Sequence, residues 1–166
     1  PKRATFYGSI DPAGSEAGEV KMGQVIRTSI SLSAWPELDQ RLWYSATTKG
    51  EFLAPDGKAA HWVPETKRQV EKGYGKWVYY LTLASALPSE ESKSPFDRVT
   101  KDRLQAYVDL LTNQGLASQT IASRLTDLCE ALRVMCPFCD LTVIKHLVSV
   151  LSMRATPSRN KAARIK

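Results

Sequence analysis

Apolar residues that recur every three or four positions are the feature that most limits how this chain can fold. They occur in four segments between residues 70 and 151, and this spacing places each set on one face of an α-helix. The sets are Val70, Tyr74, Trp77, Val78 and Leu81; Leu104, Tyr107, Val108 and Leu111; Ile121, Leu125, Leu128 and Leu132; and Leu141, Ile144, Leu147, Val148 and Leu151. The sequence therefore predicts an all-α fold, a small bundle of about four to five helices.

Cap residues predict where the first two helices begin. Pro36 is tolerated in the first turn of a helix that we expect to continue to about Thr47. Thr66 and Gln69 have the spacing of a capping box, in which each side chain binds a free backbone N–H of the first turn. The second helix is therefore predicted to start at Thr66 and to end before Pro88.

The boundaries of the later helices are predicted from the same kind of residue. Thr100 is the expected N-cap of the third helix, and Gly115 is its C-terminal stop. The fourth helix is expected to start at Ser118 and to end at Pro137, and Asp140 is the expected cap of the fifth. A sixth helix could start at 156–157, where proline would occupy its first turn.

Two further features concern glycine. Gly73 and Gly75 fall inside the second helix, where each either weakens the helix by about 1 kcal/mol or allows another backbone to approach closely. Residues 1–34 are rich in Gly, Ser and Ala, which predicts an irregular, loosely held N-terminal arm with at most a short strand at 25–30.

The net charge of +6 is concentrated at one end of the chain. Residues 141–166 contain no acid and account for the whole excess, through Lys145, Arg154, Arg159, Lys161, Arg164 and Lys166. A local excess of this kind predicts a polyanionic partner, either a nucleic acid or a membrane surface. No apolar segment follows the basic N-terminus as in a signal peptide, and none has the length of a bilayer span. The three cysteines are an odd set that suits a reducing cytoplasm, where we expect the protein to act.

The sequence contains no recognisable catalytic motif. Its two histidines lie in no zinc-protease or Ser/His/Asp spacing, and no glycine-rich phosphate loop is present. We therefore expect no catalytic site, bound metal or cofactor in this chain. Cys136 and Cys139 form a CxxC pair, for which zinc binding or thiol redox chemistry is the alternative to an ordinary interhelical loop. The tryptophans, Trp35, Trp43, Trp62 and Trp77, could stack on bases, but their positions favour packing in the core.

Two helix starts have residues suited to phosphate binding, because free N–H groups and hydroxyls there favour an anion. The first is Thr66, Lys67 and Arg68, and the second is Ser118 and Thr120 with Ser123 and Arg124 one turn later. A plain cap with solvated charges is the alternative for either start taken alone. Together with Lys145, Arg154, Arg159 and Lys161, they are the predicted DNA-binding residues.

The ordered series of helices resembles the core-binding, SAM-like domain of tyrosine recombinases, the phage-integrase family. Three segments carry the resemblance: 64–81, 99–107 and 115–125, within a match from about Trp62 to Met153. Residues 35–61 resemble an N-terminal extension of some bacterial integrases. The resemblance implies that the chain forms half of a C-shaped clamp on duplex DNA, with two helices across the major groove. It also implies self-association with other recombinase protomers on DNA.

The recombinase active site is missing from this chain. The family has a His-x-x-Arg motif, but His61 is followed at the third position by Pro64, and His146 by Ser149. Val70 stands where many members have a tyrosine. The resemblance therefore implies a DNA-binding fragment of a recombinase and no enzyme activity of its own.

These observations divide the chain into three parts. They are an arm at 1–34, a helical DNA-binding domain at 35–153 (extension 35–61, bundle 62–153), and a basic linker at 154–166 toward a missing catalytic domain. The alternative function is a helical protein–protein interaction module with a basic tail.

Overall fold

The computed structural model describes residues 28–84, 87 and 93–154. They form a short 3-10 helix, Leu32–Ala34, and five α-helices: α1 (Glu37–Thr47), α2 (Pro64–Leu83), α3 (Lys101–Asn113), α4 (Ser118–Met135) and α5 (Thr142–Arg154). No strand occurs among these residues, so the predicted all-α bundle is confirmed. The possible sixth helix, Arg159, Lys161 and residues 1–27 lie outside the described residues.

Helix α4 is the centre of the bundle and packs against each of the other four α-helices. It can do so because its apolar residues extend beyond a single stripe. Leu125, Leu128 and Leu132 are buried, and so are the small residues Ala122 and Ala131. Within the described residues, no helix has the length and apolar character that a membrane crossing requires.

Helices α2 and α4 run antiparallel and approach closely. Gln69 donates a hydrogen bond to Asp127 at 3.3 Å, and a Cβ added at Gly73 would lie 2.4 Å from the Cβ of Asp127. Farther along α2, Lys76 lies near Arg124. The α2 numbers rise while the α4 numbers fall, so the start of each helix lies near the end of the other.

Helices α1 and α2 are also antiparallel. The Trp43 indole N–H donates to Glu71 at 3.2 Å, and the Tyr74 hydroxyl donates to Asp39 at 2.6 Å. Trp35 contacts both Trp43 and Tyr74 edge to face, so the predicted packing role of these tryptophans is confirmed. The C-terminus of α1 consequently lies at the same end of the bundle as the N-terminus of α2.

Helix α3 has the predicted boundaries. The Thr100 side chain accepts a hydrogen bond from the Arg103 N–H at 3.2 Å, and Gly115 follows the helix with a φ of 89°. Tyr107 packs against Trp77 and Tyr80 of α2. Asp140 lies one residue before the N-cap position of α5, since the Lys145 N–H donates to the Leu141 carbonyl at 3.0 Å, and its carboxylate accepts the Thr142 N–H at 3.0 Å.

The predicted capping box at the start of α2 is wrong. The helix begins at Pro64 with Val63 as N-cap, and Thr66 lies inside the first turn. Proline has no N–H to satisfy and holds the preceding residue in an extended conformation, which is the conformation of an N-cap residue. Gln69 is one turn too far along to serve as the box partner, and its side chain binds Asp127 instead.

Residues 28–31 are attached to α2 and do not behave as the loosely held arm that the sequence predicted. The Ile30 N–H donates to the Gly75 carbonyl at 3.2 Å, and the Ser29 hydroxyl donates to the Lys72 carbonyl at 2.9 Å. A Cβ added at Gly75 would lie 2.5 Å from the Ile30 carbonyl oxygen. Close approach of another backbone is therefore the role of Gly75, and residues 28–30 form no strand.

Candidate nucleic-acid interface

A row of basic side chains follows one side of α2. Arg68, Lys72 and Lys76 are spaced four residues apart, so they lie on the same side of the helix. The helical rise places the first and last about 12 Å apart along the axis. Arg68 and Lys72 are exposed, and Lys76 is half-buried against α4. We call these three residues the basic row.

Lys76, the last residue of the basic row, lies near Arg124 and Asp127 of α4. The pKa of Lys76 is lowered, mainly by burial and then by the nearby charges of Arg124 and Lys72, while Asp127 opposes the shift. A lowered lysine pKa means that the positive charge is disfavoured there. The smaller part of the shift comes from the charges of Arg124 and Lys72, and this is the part that a nearby anion would offset.

The first predicted helix start lies at one end of the basic row. Thr66 and Arg68 are exposed, and Lys67 is partly exposed. Arg68 contacts Glu65 at 3.3 Å, one turn earlier on the helix surface. Exposed pairs of this kind contribute about 0–1 kcal/mol, so a phosphate can compete for the guanidinium.

The second predicted helix start lies at the other end. Ser118 is the first residue of α4, and Thr120 and Ser123 are exposed. Thr120, Ser123 and Asp127 are separated by three and four residues, so they share one side of α4. Asp127 contacts α2, and this side therefore faces the basic row. The antiparallel packing places the two predicted starts at opposite ends of the helix pair.

Lys72 and Lys76 extend the row from Arg68 toward α4, and neither was identified from the sequence. Their spacing from Arg68 was the available signal, but a four-residue interval of basic side chains is common on exposed helix faces. Only the packing of α4 shows that the last residue of this row, Lys76, lies near Arg124 and Asp127. The two helix starts alone therefore did not identify Lys72 and Lys76, which lie between Arg68 and the contact with α4.

Arg124 is buried, with 8% of its surface exposed, and does not extend from the helix start into solvent as predicted. It forms a hydrogen bond with the Tyr107 hydroxyl, which tends to lower the pKa of that tyrosine. Burial outweighs this effect and raises the pKa of Tyr107 to about 12. Arg124 follows Ile121 by three residues and precedes Leu128 by four, so it falls within the apolar stripe of α4.

Lys145 and Arg154 are exposed on α5. Lys145 lies near Cys129, which is two residues beyond Asp127 and therefore roughly 200° around α4. The structure thus places Lys145 on a different side of α4 from the basic row. Arg154 is nine residues farther along α5, and the short α4–α5 connection carries it toward the start of α4.

Cys136 and Cys139 form the ends of a tight turn between α4 and α5. The Cys139 N–H donates to the Cys136 carbonyl at 3.1 Å. The pKa of Cys136 is raised to about 11, first by burial and then by Cys139. A raised pKa leaves little thiolate at neutral pH, which disfavours thiol redox catalysis by Cys136. In the part of the chain that the structure describes, no three His, Cys, Asp or Glu side chains form a group able to hold a metal ion.

Comparison with family models, curated proteins and solved structures gives no significant match to this chain.

Proposed function

We propose that this chain is a duplex-DNA-binding module that holds the DNA backbone along the paired surfaces of α2 and α4. On the resemblance of its helices to the core-binding domain, the module would position DNA for strand exchange by a tyrosine recombinase. The observation that carries the DNA-binding proposal is the basic row, which follows α2 from Arg68, near the first predicted helix start, to Lys76 beside α4. The chain itself would perform no reaction.

The chemistry of this surface suits a sugar–phosphate backbone. Arg68, Lys72 and Lys76 supply separated positive charges, and Thr120 and Ser123 supply hydroxyl donors on the adjacent helix. Contacts of these two kinds position a duplex without reading its sequence. The acid between the two helices, Asp127, accepts a hydrogen bond from Gln69, so this carboxylate is already partly engaged.

Salt dependence of DNA binding tests this proposal directly. Fluorescence anisotropy would measure the affinity for a labelled duplex of about 30 base pairs between 50 and 200 mM salt. With about six phosphate contacts, including those from residues outside the basic row, affinity should fall ~10³-fold over this range. The double variant Arg68→Ala/Lys72→Ala should bind more weakly and lower the salt slope by about two.

Lys101→Ala is the matched control, because Lys101 is an exposed lysine of α3 outside the basic row. It should leave affinity for the duplex within about twofold of the wild type. Equal losses in the control and in the double variant would contradict the assignment of the α2–α4 surface. Absence of duplex binding at 50 mM salt by the folded wild-type chain would contradict the function itself.

Arg124 provides a different kind of test. Because its side chain is buried against Tyr107, Arg124→Ala should lower the free energy of unfolding by about 1–3 kcal/mol. Duplex affinity measured on the folded fraction should change little. A large loss of affinity with unchanged stability would restore the predicted role of Arg124 as a direct phosphate contact.

A protein–protein interaction module is the second candidate, and an exposed apolar pair favours it. Phe138 is fully exposed in the turn before α5, and Val143 is exposed in the first turn of α5. Light scattering at low salt would compare the mass of the wild type and of Phe138→Ser, with and without duplex. A self-association that disappears in the variant, together with no mass change on adding duplex, would support this second function.

A further inference from the structure

The connection between α1 and α2 presents two large apolar side chains to solvent. Phe52 and Leu53 are adjacent in sequence, and their exposed fractions are 96% and 89%. Burying a large apolar side chain is worth about 1.5–3 kcal/mol, so leaving both outside the core forgoes a substantial contribution to stability. Neighbouring apolar residues exposed together at the tip of a loop indicate a contact surface for another molecule.

The base of this loop is held in place by backbone hydrogen bonds. The Gly57 N–H donates to the Thr48 carbonyl at 3.0 Å, and the Ala59 N–H donates to the Ala46 carbonyl at 2.7 Å. The Gly50 N–H donates to the Asp56 carboxylate at 2.7 Å, which closes the loop near its tip. Phe52 and Leu53 are therefore presented from a closed loop, which lowers the entropy cost of using them in a contact.

The loop lies at the same end of the bundle as the Arg68 end of the basic row. It follows the C-terminus of α1, which is at the same end of the bundle as Lys67 and Arg68 because α1 and α2 are antiparallel. Lys49 and Lys58 are exposed on either side of the loop tip. Of the neighbouring acids, Asp56 binds the Gly50 N–H and Glu65 contacts Arg68, whereas Glu51, directly before Phe52, is exposed.

The contact area of Phe52 and Leu53 limits which kind of partner they can bind. Two such side chains offer roughly 300–400 Å² of contact area, whereas a stable protein–protein interface needs about 800 Å² from each partner. A second copy of this chain would therefore gain too little area from the tip alone. One step between base pairs, by contrast, accommodates one or two apolar side chains, and Phe and Leu are among the residues that proteins insert there.

We propose that Phe52 and Leu53 form an apolar wedge that enters a base-pair step of the duplex bound by the basic row. This inference rests on the proposed DNA-binding function. Lys49, Lys58, Lys67 and Arg68 would hold the phosphates around the wedge. Insertion would unstack one step and bend the DNA, so pyrimidine–purine steps such as TA, which unstack most easily, would be preferred.

The fluorescence of 2-aminopurine placed beside a TA step in a duplex of about 30 base pairs tests this wedge. The wild-type chain should increase the fluorescence severalfold on binding, because the probe becomes brighter when it loses stacking. The variant Phe52→Ser/Leu53→Ser should abolish the increase and bind the duplex about tenfold more weakly, a difference of about 1.4 kcal/mol. Met153→Ser, which alters another largely exposed apolar side chain, should behave as the wild type. Circular dichroism would show that both variants remain helical.

The outcomes separate the wedge from the proposed function. If the wild type binds the duplex with steep salt dependence but the double variant matches it in affinity and fluorescence, the wedge is overturned and DNA binding stands. If the wild type binds no duplex, both proposals fail. Sedimentation with phosphatidylserine vesicles and light scattering complete the test. Loss of vesicle binding or of self-association in the double variant, with unchanged duplex binding, would assign the tip to a membrane or a protein and overturn the wedge.

Discussion

Arg98 and Asp39 form an ion pair of 2.7 Å in the interior of the bundle, where their side chains are 1% and 0% exposed. The same Asp39 oxygen accepts the Tyr74 hydroxyl at 2.6 Å. Arg98 also donates to the Lys93 carbonyl at 2.7 Å. The pair thus connects α1 and α2 to the non-helical segment that leads into α3, and it fixes that segment by hydrogen bonds.

Breaking this ion pair should be costly. Arg98→Met would leave the Asp39 carboxylate buried without its cation and should lower the free energy of unfolding by about 3–5 kcal/mol. Urea denaturation followed by circular dichroism would measure the change. Arg41→Met is the control, because Arg41 pairs with Glu37 at 3.6 Å on the exposed surface of α1 and should lose less than about 1 kcal/mol.

A double variant tests whether the stability lost in Arg98→Met comes from the unpaired charge of Asp39 or from lost packing. Asp39→Leu/Arg98→Met removes both charges and should recover much of the stability that the single change loses, since an apolar pair avoids the desolvation cost. Equal losses of stability in Arg98→Met and Arg41→Met would show that the buried pair is not a main structural contact.

Tyr107 should make the fold sensitive to alkaline pH. Burial raises its pKa to about 12 in the folded chain, against about 10 in the unfolded chain. The folded state therefore holds this proton more tightly. Its contribution to stability is complete below pH 10 and is lost as the pH rises through 12, by about 1.4 kcal/mol per pH unit. The pKa of Tyr74 is also raised by burial and by Asp39, which adds a loss of the same sign.

Urea denaturation at pH 9 and pH 11 would measure this loss in the wild type and in Tyr107→Phe. The variant should lose about 1.4 kcal/mol less between the two pH values, because phenylalanine has no proton to release. An identical fall in both proteins would assign the alkaline sensitivity to other groups.

The corrected start of α2 predicts different effects for two threonines. Thr100→Ala removes the side chain that accepts the Arg103 N–H and should cost about 1 kcal/mol of stability. Thr66→Ala should change stability by less than about 0.5 kcal/mol, because Thr66 lies inside the first turn and caps nothing. Thermal or urea unfolding of the two variants would compare them, and similar costs would support the capping box after all.

Gly75→Ala should detach residues 28–31 from α2. Alanine is normally better than glycine in a helix by about 1 kcal/mol, but here its Cβ would meet the Ile30 carbonyl oxygen at 2.5 Å. We expect lower stability and a red shift of tryptophan emission, because the Trp35 indole donates to that same carbonyl at 3.0 Å. In Gly115→Ala the added Cβ would meet no atom within 4 Å. This variant should lose stability only because alanine disfavours a φ of 89°, and it should leave the emission unchanged. A more stable Gly75→Ala would contradict the close contact.

Much of the bundle was predictable from local patterns. Leu104, Leu111, Leu125 and Leu132 are buried as their spacing predicted, and Thr100 and Gly115 delimit α3. The predicted start of α2 failed because two local signals competed. Pro64 and the Thr66 capping box both indicated a helix start, and proline, which comes first in the chain, determines the cap.

The candidate interface was only partly predictable. Thr66, Lys67, Arg68, Thr120 and Ser123 were identified from their places at helix starts, and the structure puts them on the two helices that pair. Lys72 and Lys76 gained significance only from the neighbouring α4. Arg124 and Arg68 were both predicted to bind DNA because each is a basic residue near a helix start. Arg124 is buried, however, and Arg68 is exposed.

Local patterns predict the helices, their apolar faces and most of their ends, because periodicity and capping involve residues within one or two turns. Which charges are buried and which face outward depends on the packing of distant segments. Asp39 and Arg98 are 59 residues apart in the chain and meet only when α1 packs beside the segment before α3. A charged side chain can be buried only where distant residues supply its hydrogen bonds, and local spacing contains no record of such partners.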